Sequence, residues 1–117
     1  NDVKYIVKYI GTTTTNMTGE NDAAILGLDA TLFNVVGEKD GNNFPGLNKN
    51  GDIRLYKIKD SGQSSITFTI TTGEIKQIVI DALENGDMLV VYVNGVEVEG
   101  VNGVYNINAA SFQIVNE

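Results

Sequence analysis

Residues 50–81 read NGDIRLYKIKDSGQSSITFTITTGEIKQIVID. Within them, Ile66, Phe68 and Ile70 alternate with Thr67, Thr69 and Thr71, the period-2 pattern of a strand with one buried and one wet face. A Thr72-Gly73 break precedes a second segment, Ile75 to Ile80, which carries Ile75, Ile78, Val79 and Ile80. Ahead of both, Ile53-Arg54-Leu55-Tyr56 follows directly on an Asn50-Gly51 turn. Three strand-like segments separated by turn chemistry predict the middle of a sheet, with the rest of the chain packed on or around it.

Upstream, Asp2 to Ile10 predicts a first strand, with Val3, Tyr5, Val7 and Tyr9 on one face and Lys4, Ile6, Lys8 and Ile10 on the other. Because Ile6 and Ile10 are apolar on the nominally wet face, both sides are expected to be partly covered, as at a sandwich edge. In the polar run from Gly11 to Asp22, Thr12 to Thr15 could extend the strand, and Asn16, Gly19, Glu20 and Asn21 then turn it into a loop. Ala23 to Leu28 has the length of one helical turn, with Asn21 or Asp22 as its N-cap. Thr31 to Val36 predicts another strand. Residues 37–51, GEKDGNNFPGLNKNG, are rich in Gly and Asn, hold the chain's one Pro (Pro45), and predict a surface loop.

Downstream, the apolar run Met88 to Val93 is followed by Asn94-Gly95 and Val96 to Glu99, a strong hairpin signal. Asn102-Gly103 leads into Val104 to Ile107, and Ser111 to Val115 is the last strand. Asn-Gly recurs at 50–51, 85–86, 94–95 and 102–103, which predicts a ladder of antiparallel hairpins. With about eight or nine strands and almost no helix, the fold class is all-β, a two-sheet antiparallel β-sandwich of jelly-roll type, with a β-barrel the weaker alternative.

The 117 residues are enough for one domain with a real core, and 42% of them are hydrophobic. The chain reads as a single module, 1–117, excised from a larger protein, because it opens on Asn without a signal-like apolar stretch. Fifteen acidic against 8 basic residues give a formal net charge of −7. That balance repels phosphate backbones and anionic lipid, so nucleic acid and membrane insertion are not expected. With no Cys and no His, thiolate and Ser-His nucleophile systems and the commonest general base are excluded. Paired carboxylates remain, but Glu97 and Glu99 lie on the polar side of one strand and read as a solvated face, so no enzyme is expected. Asn16-Met17-Thr18 fits a glycosylation acceptor pattern and reads as plain loop.

The block GLNKNGDIRLYKIKDSGQSSITFTITTGEIKQIVI (46–80), and after it VNGVEVEGVNGVYNINAASFQIVN (93–116), resembles β-sandwich modules of secreted, multidomain bacterial proteins. In those modules a Gly-containing loop leads into an I-R-L-Y strand, a strand of alternating Thr/Ser and apolar residues, and a G-x-I-x-x-I-x-I strand. Here the counterparts are Ile53 to Tyr56, Ile66 to Ile70, and Gly73 through Ile80. The resemblance implies a jelly-roll, galactose-binding-like or carbohydrate-binding-like accessory module at the cell surface or outside the cell. It carries over no ligand positions.

A pyranose offers an apolar C–H face and a ring of hydroxyls, so a sugar site needs an aromatic ring beside hydrogen-bonding groups. Tyr5, Tyr9, Phe33, Phe68, Tyr92, Tyr105 and Phe112 fall in strand-like runs and read as core. Phe44 falls in the predicted loop and is the stacking candidate, unless it tucks under that loop beside Pro45. Asn42, Asn43 and Arg54, with Tyr56 beside it, are the hydrogen-bonding candidates for ligand binding, Arg54 being the chain's one Arg. Asn48, Asn50 and Asp52 place oxygens at alternate loop positions, with Asp40 nearby, which makes them candidate ligands for a structural calcium. The competing reading is that turns favour these residue types. No other cofactor is expected. The expected function is therefore non-catalytic binding of carbohydrate or a cell-surface ligand. The alternative is a structural or adhesive spacer whose partners are neighbouring domains.

Overall fold

The computed structural model describes residues 2–58 and 62–117. The Thr/apolar alternation becomes the nine-residue strand β6 (Gly62–Ile70), the centre of the largest sheet. Ahead of it in the chain come β1 (Thr15–Asn16), β2 (Phe33–Gly41), β3 (Gly46–Leu47), β4 (Ile53–Arg54) and β5 (Lys57–Ile58). After it come β7 (Ile75–Val79), β8 (Leu89–Val93), β9 (Val96–Val98), β10 (Val104–Ala109) and β11 (Ser111–Asn116). Among the described residues helix is confined to two 3₁₀ turns, Ala24–Leu26 and Gly86–Met88. The main sheet runs β2-β6-β11-β8-β9, with β5 beside one end of β6; β7 pairs with β10, and β1-β3-β4 form a third, small sheet. Every ladder is antiparallel. Among the described residues no helix is long and apolar enough to cross a membrane.

Register follows the alternation. Val35 pairs with Phe68 and Phe68 with Phe112, while Ile66 pairs with Ile114 and Ile114 with Val91, so one side of the main sheet is apolar from strand to strand. The Phe68 and Phe112 rings stack with centroids 5.0 Å apart. Ile78 and Ile107, from the β7–β10 pair, join the same core, as do Tyr9, Met17, Leu26, Leu28 and Leu47 from the segments that cover it. The result is an all-β, sandwich-like molecule.

The main sheet and the β7–β10 pair are continuous along the chain. β6 leads into β7 and β10 into β11, so one antiparallel ribbon bends from sheet to sheet between Thr69↔Ser111 and Ile75↔Ala109. The Ile70 N–H donates to the Ala110 carbonyl at 2.8 Å and holds the corner together.

The free side of β2 is closed by a side chain. Asn21 Oδ1 accepts from the N–H groups of Ala23 (3.0 Å) and Val35 (2.9 Å), and its Nδ2 donates to the carbonyls of Phe33 (3.0 Å) and Ala30 (3.3 Å). The Asp22 N–H adds a bond to the Val35 carbonyl at 2.8 Å. Farther along β2, Met17 packs against Gly37 so closely that a Cβ there would lie 2.6 Å from the Met17 Cβ and 2.9 Å from its carbonyl oxygen.

Three expectations need correction. Asp2 to Ile10 belongs to no strand, because the N–H groups of Lys8, Tyr9 and Ile10 go to the carbonyls of Leu26, Gly51 and Ile25, scattered acceptors that form no ladder. Residues 37–51 are not one surface loop: β2 continues to Gly41, Pro45 is buried, and Gly46 and Leu47 are buried as β3, the middle strand of the small sheet. The four Asn-Gly pairs also differ in geometry. Asn94-Gly95 and Asn102-Gly103 both have positive φ at each residue, as a type I′ turn requires. Asn85 instead precedes a 3₁₀ turn, and at 50–51 only Gly51 has positive φ.

Candidate functional site

The polar side of the main sheet carries the candidate site. Pairing of Glu38 with Ser65 and Ser65 with Val115, of Asp40 with Gln63, and of Gln113 with Tyr92 puts these residues on one face across four adjacent strands. Together with Glu117 they line an open groove of about 350 Å³, at the lower end of the roughly 300–1,000 Å³ of small-molecule sites. Val115 is its buried apolar floor.

The groove is held in place by its own hydrogen bonds. Gln113 Nε2 donates to Ser65 Oγ at 3.3 Å, and the Tyr92 hydroxyl donates to the Glu117 carboxylate. Next to the groove, Thr69 and Ser111 exchange a hydroxyl bond at 2.9 Å. The Glu117 carboxylate pushes the Tyr92 hydroxyl above the ordinary tyrosine pKa, with burial and the negative charge of Glu97 acting in the same direction. Tyr92 therefore presents a ring and a proton already committed to a carboxylate, while Gln63, Gln113 and the carboxylates of Glu38 and Asp40 supply donors and acceptors.

The ligand-binding residues expected from sequence lie elsewhere. Alternation turns Lys39 and Ser64 to the reverse side of the sheet, and these are the residues that meet them. Lys39 Nζ stands 4.8 Å from the ring centroid of Phe44, which is half-buried and so covered on one face by an ammonium. Ser64 Oγ, fully buried, accepts from the Tyr56 N–H at 2.7 Å. The Arg54 guanidinium lies 4.5 Å from the Tyr56 ring centroid, and both flank Gly46, β3's partner for Arg54. Arg54 and Tyr56 thus come together, whereas Asn42 is exposed and Asn43 half-buried on the turn ahead of Phe44.

The four expected calcium ligands divide between two sheets. Asp40 is on β2 in the main sheet, while Asn48, Asn50 and Asp52 belong to the β3–β4 connection, closed by Asn48 N–H to the Asp52 carbonyl (2.9 Å) and Gly51 N–H to the Asn48 carbonyl (2.8 Å). Among the described residues no group of three or more Asp, Glu, His or Cys is placed to hold a metal.

Sequence reasoning missed Glu38, Gln63, Ser65, Gln113 and Glu117 as site residues and read Tyr92 as core. Tyr92 is half-buried on the polar face, and Tyr5, also read as core, is 48% exposed. A signal was present, since Gln63, Ser65, Thr67 and Thr69, and again Ser111 and Gln113, form the wet side of an alternation whose apolar side drew the attention.

Comparison of the chain with models of protein families, with curated proteins and with solved structures returned no match.

Proposed function

We propose that the protein is a non-catalytic binding module for neutral, polyhydroxylated ligands, carbohydrate first among them, and that the groove on the polar face of the main sheet is the site. One observation carries this reading: hydrogen-bonding side chains from four adjacent strands, with a tyrosine ring beside them, converge on one depression over an apolar floor. Sugar hydroxyls need paired donors and acceptors at close spacing, and Gln63, Ser65, Gln113 and Asp40 supply them. Glu38, Asp40 and Glu117 leave the groove net negative, which disfavours sulfated, uronic and sialic sugars. The wider setting follows from the resemblance of residues 46–80 and 93–116: an extracellular accessory module of jelly-roll type, acting beside neighbouring domains.

Binding through these groups needs no ion. A glycan array probed with the purified protein, with calcium and again with EDTA, is expected to give hits on neutral glycans that persist after chelation. Hits confined to acidic glycans, or lost with EDTA, would contradict the groove reading. A blank array would move the function to a spacer that contacts neighbouring domains.

A further inference from the structure

We infer that copies of this chain associate head to tail, the N-terminal arm of one copy adding as a strand to the open edge of β9 in the next. β9 is the last strand of the main sheet and pairs only with β8, through Val91↔Val98, Tyr92↔Glu97 and Val93↔Val96. Its far side has no partner strand among the described residues, and Val96 is 67% exposed. An open edge of this kind offers unpaired N–H and C=O groups to any compatible strand.

The arm can supply such a strand. Residues 2–7 lie outside every assigned strand and, among the described residues, make no backbone hydrogen bond, while Lys8, Tyr9 and Ile10 anchor the arm to the body. Val3 and Ile6 are 70% and 72% exposed, and Tyr5 touches the body edge-on through Phe33, with centroids 4.8 Å apart. Arm and edge also match in pattern. Val3, Tyr5 and Val7 alternate with Lys4 and Ile6, as Val96 and Val98 alternate with Glu97 and Glu99. In a paired register this sets apolar against apolar on one side and Lys4 against a glutamate on the other.

Charge favours the same partner. No Lys or Arg occurs from Gln77 to the end of the chain, where β9 and its flank carry Glu97 and Glu99, whereas the arm carries Lys4 and Lys8 against one acid, Asp2, which pairs with Lys76 at 3.4 Å. A positive arm cannot be drawn to another arm, but it is drawn to this edge. Because donor and acceptor are different surfaces, the contact does not close on a pair and extends with concentration.

Sedimentation velocity tests this directly. At low salt the weight-average mass is expected to climb from 12.6 kDa past the dimer as concentration rises, and to fall back as salt screens the contact. Removal of residues 1–7, which leaves the Lys8–Ile10 anchors, is expected to give a monomer of unchanged circular dichroism. Lys4→Glu alone should weaken association about tenfold, and Glu97→Lys/Glu99→Lys should do the same. Mixing the two variants restores attraction at the junction of the Lys4→Glu arm with the lysine-bearing edge, and so restores association. A wild-type protein that stays monomeric up to millimolar concentration would overturn the inference. So would association that survives loss of the arm, or a mixture that remains monomeric.

Discussion

Asn21 shows how much one side chain can do where a sheet would otherwise end unpaired. Its amide meets four backbone groups around the start of β2, and truncation strands three of them part-buried. Asn21→Ala is expected to lower the unfolding free energy by about 2–4 kcal/mol. Asn21→Asp keeps the two acceptor bonds, loses the two donor bonds, and should fall between Ala and wild type in the same denaturant melts. Two titrations add pH dependence. The Thr31 hydroxyl and then the Thr31 N–H hold the Asp29 carboxylate below its ordinary pKa. That contribution is present above the unfolded aspartate value and is lost as pH falls through the folded one, so Thr31→Val should flatten the acid limb of the stability profile. Tyr92 runs the opposite way: its raised pKa means the bond to Glu117 stabilises below the unfolded tyrosine value and is lost as pH rises through the folded one. Ultraviolet titration of the phenolate should show a midpoint that drops on Glu117→Gln.

At the scale of elements, regular alternation was legible and its interruptions were not. Thr67, Thr69 and Thr71 against Ile66, Phe68 and Ile70 placed β6 correctly, and the apolar run with Asn94-Gly95 placed the β8–β9 hairpin. The arm has the same alternation, yet forms no ladder among the described residues, since pairing depends on where an edge lies and alternation is silent about that. Pro45 and Leu47 looked like loop because Gly and Asn surround them. What holds them is tertiary, Pro45 beside Met17 and Gly37 and Leu47 paired with Thr15, and composition does not encode it. The groove was hidden for a related reason: its members come from β2, β6, β8 and β11, and only register brings them side by side. Turn geometry can be tested by a matched pair. At Gly95 (φ 77°) an added Cβ meets nothing, and Gly95→Ala should cost about 1–2 kcal/mol from the left-handed backbone alone. At Gly103 (φ 79°) the Cβ would lie 2.4 Å from the Ile80 carbonyl oxygen, so Gly103→Ala should cost about 1–3 kcal/mol more.

For the whole molecule, a bent ribbon passing through two sheets gives one face to the core and leaves a polar, grooved face over β2, β6, β11 and β8. The Phe68–Phe112 stack lies behind that face. Phe68→Ala is expected to destabilise by about 3–5 kcal/mol, whereas Gln113→Ala, on the groove side, should leave the melt nearly unchanged and weaken ligand binding about tenfold or more. Separate loss of stability and of binding would mark the two faces as having different jobs. The most direct test is nuclear magnetic resonance mapping of amide shifts during titration with a neutral oligosaccharide. The groove account predicts perturbations centred on Gln63, Ser65, Tyr92 and Gln113, including the side-chain amides of both glutamines, with the segment from Asn42 to Tyr56 quiet. Perturbations centred on Phe44, Arg54 and Tyr56 instead, or none at saturating sugar, would contradict it.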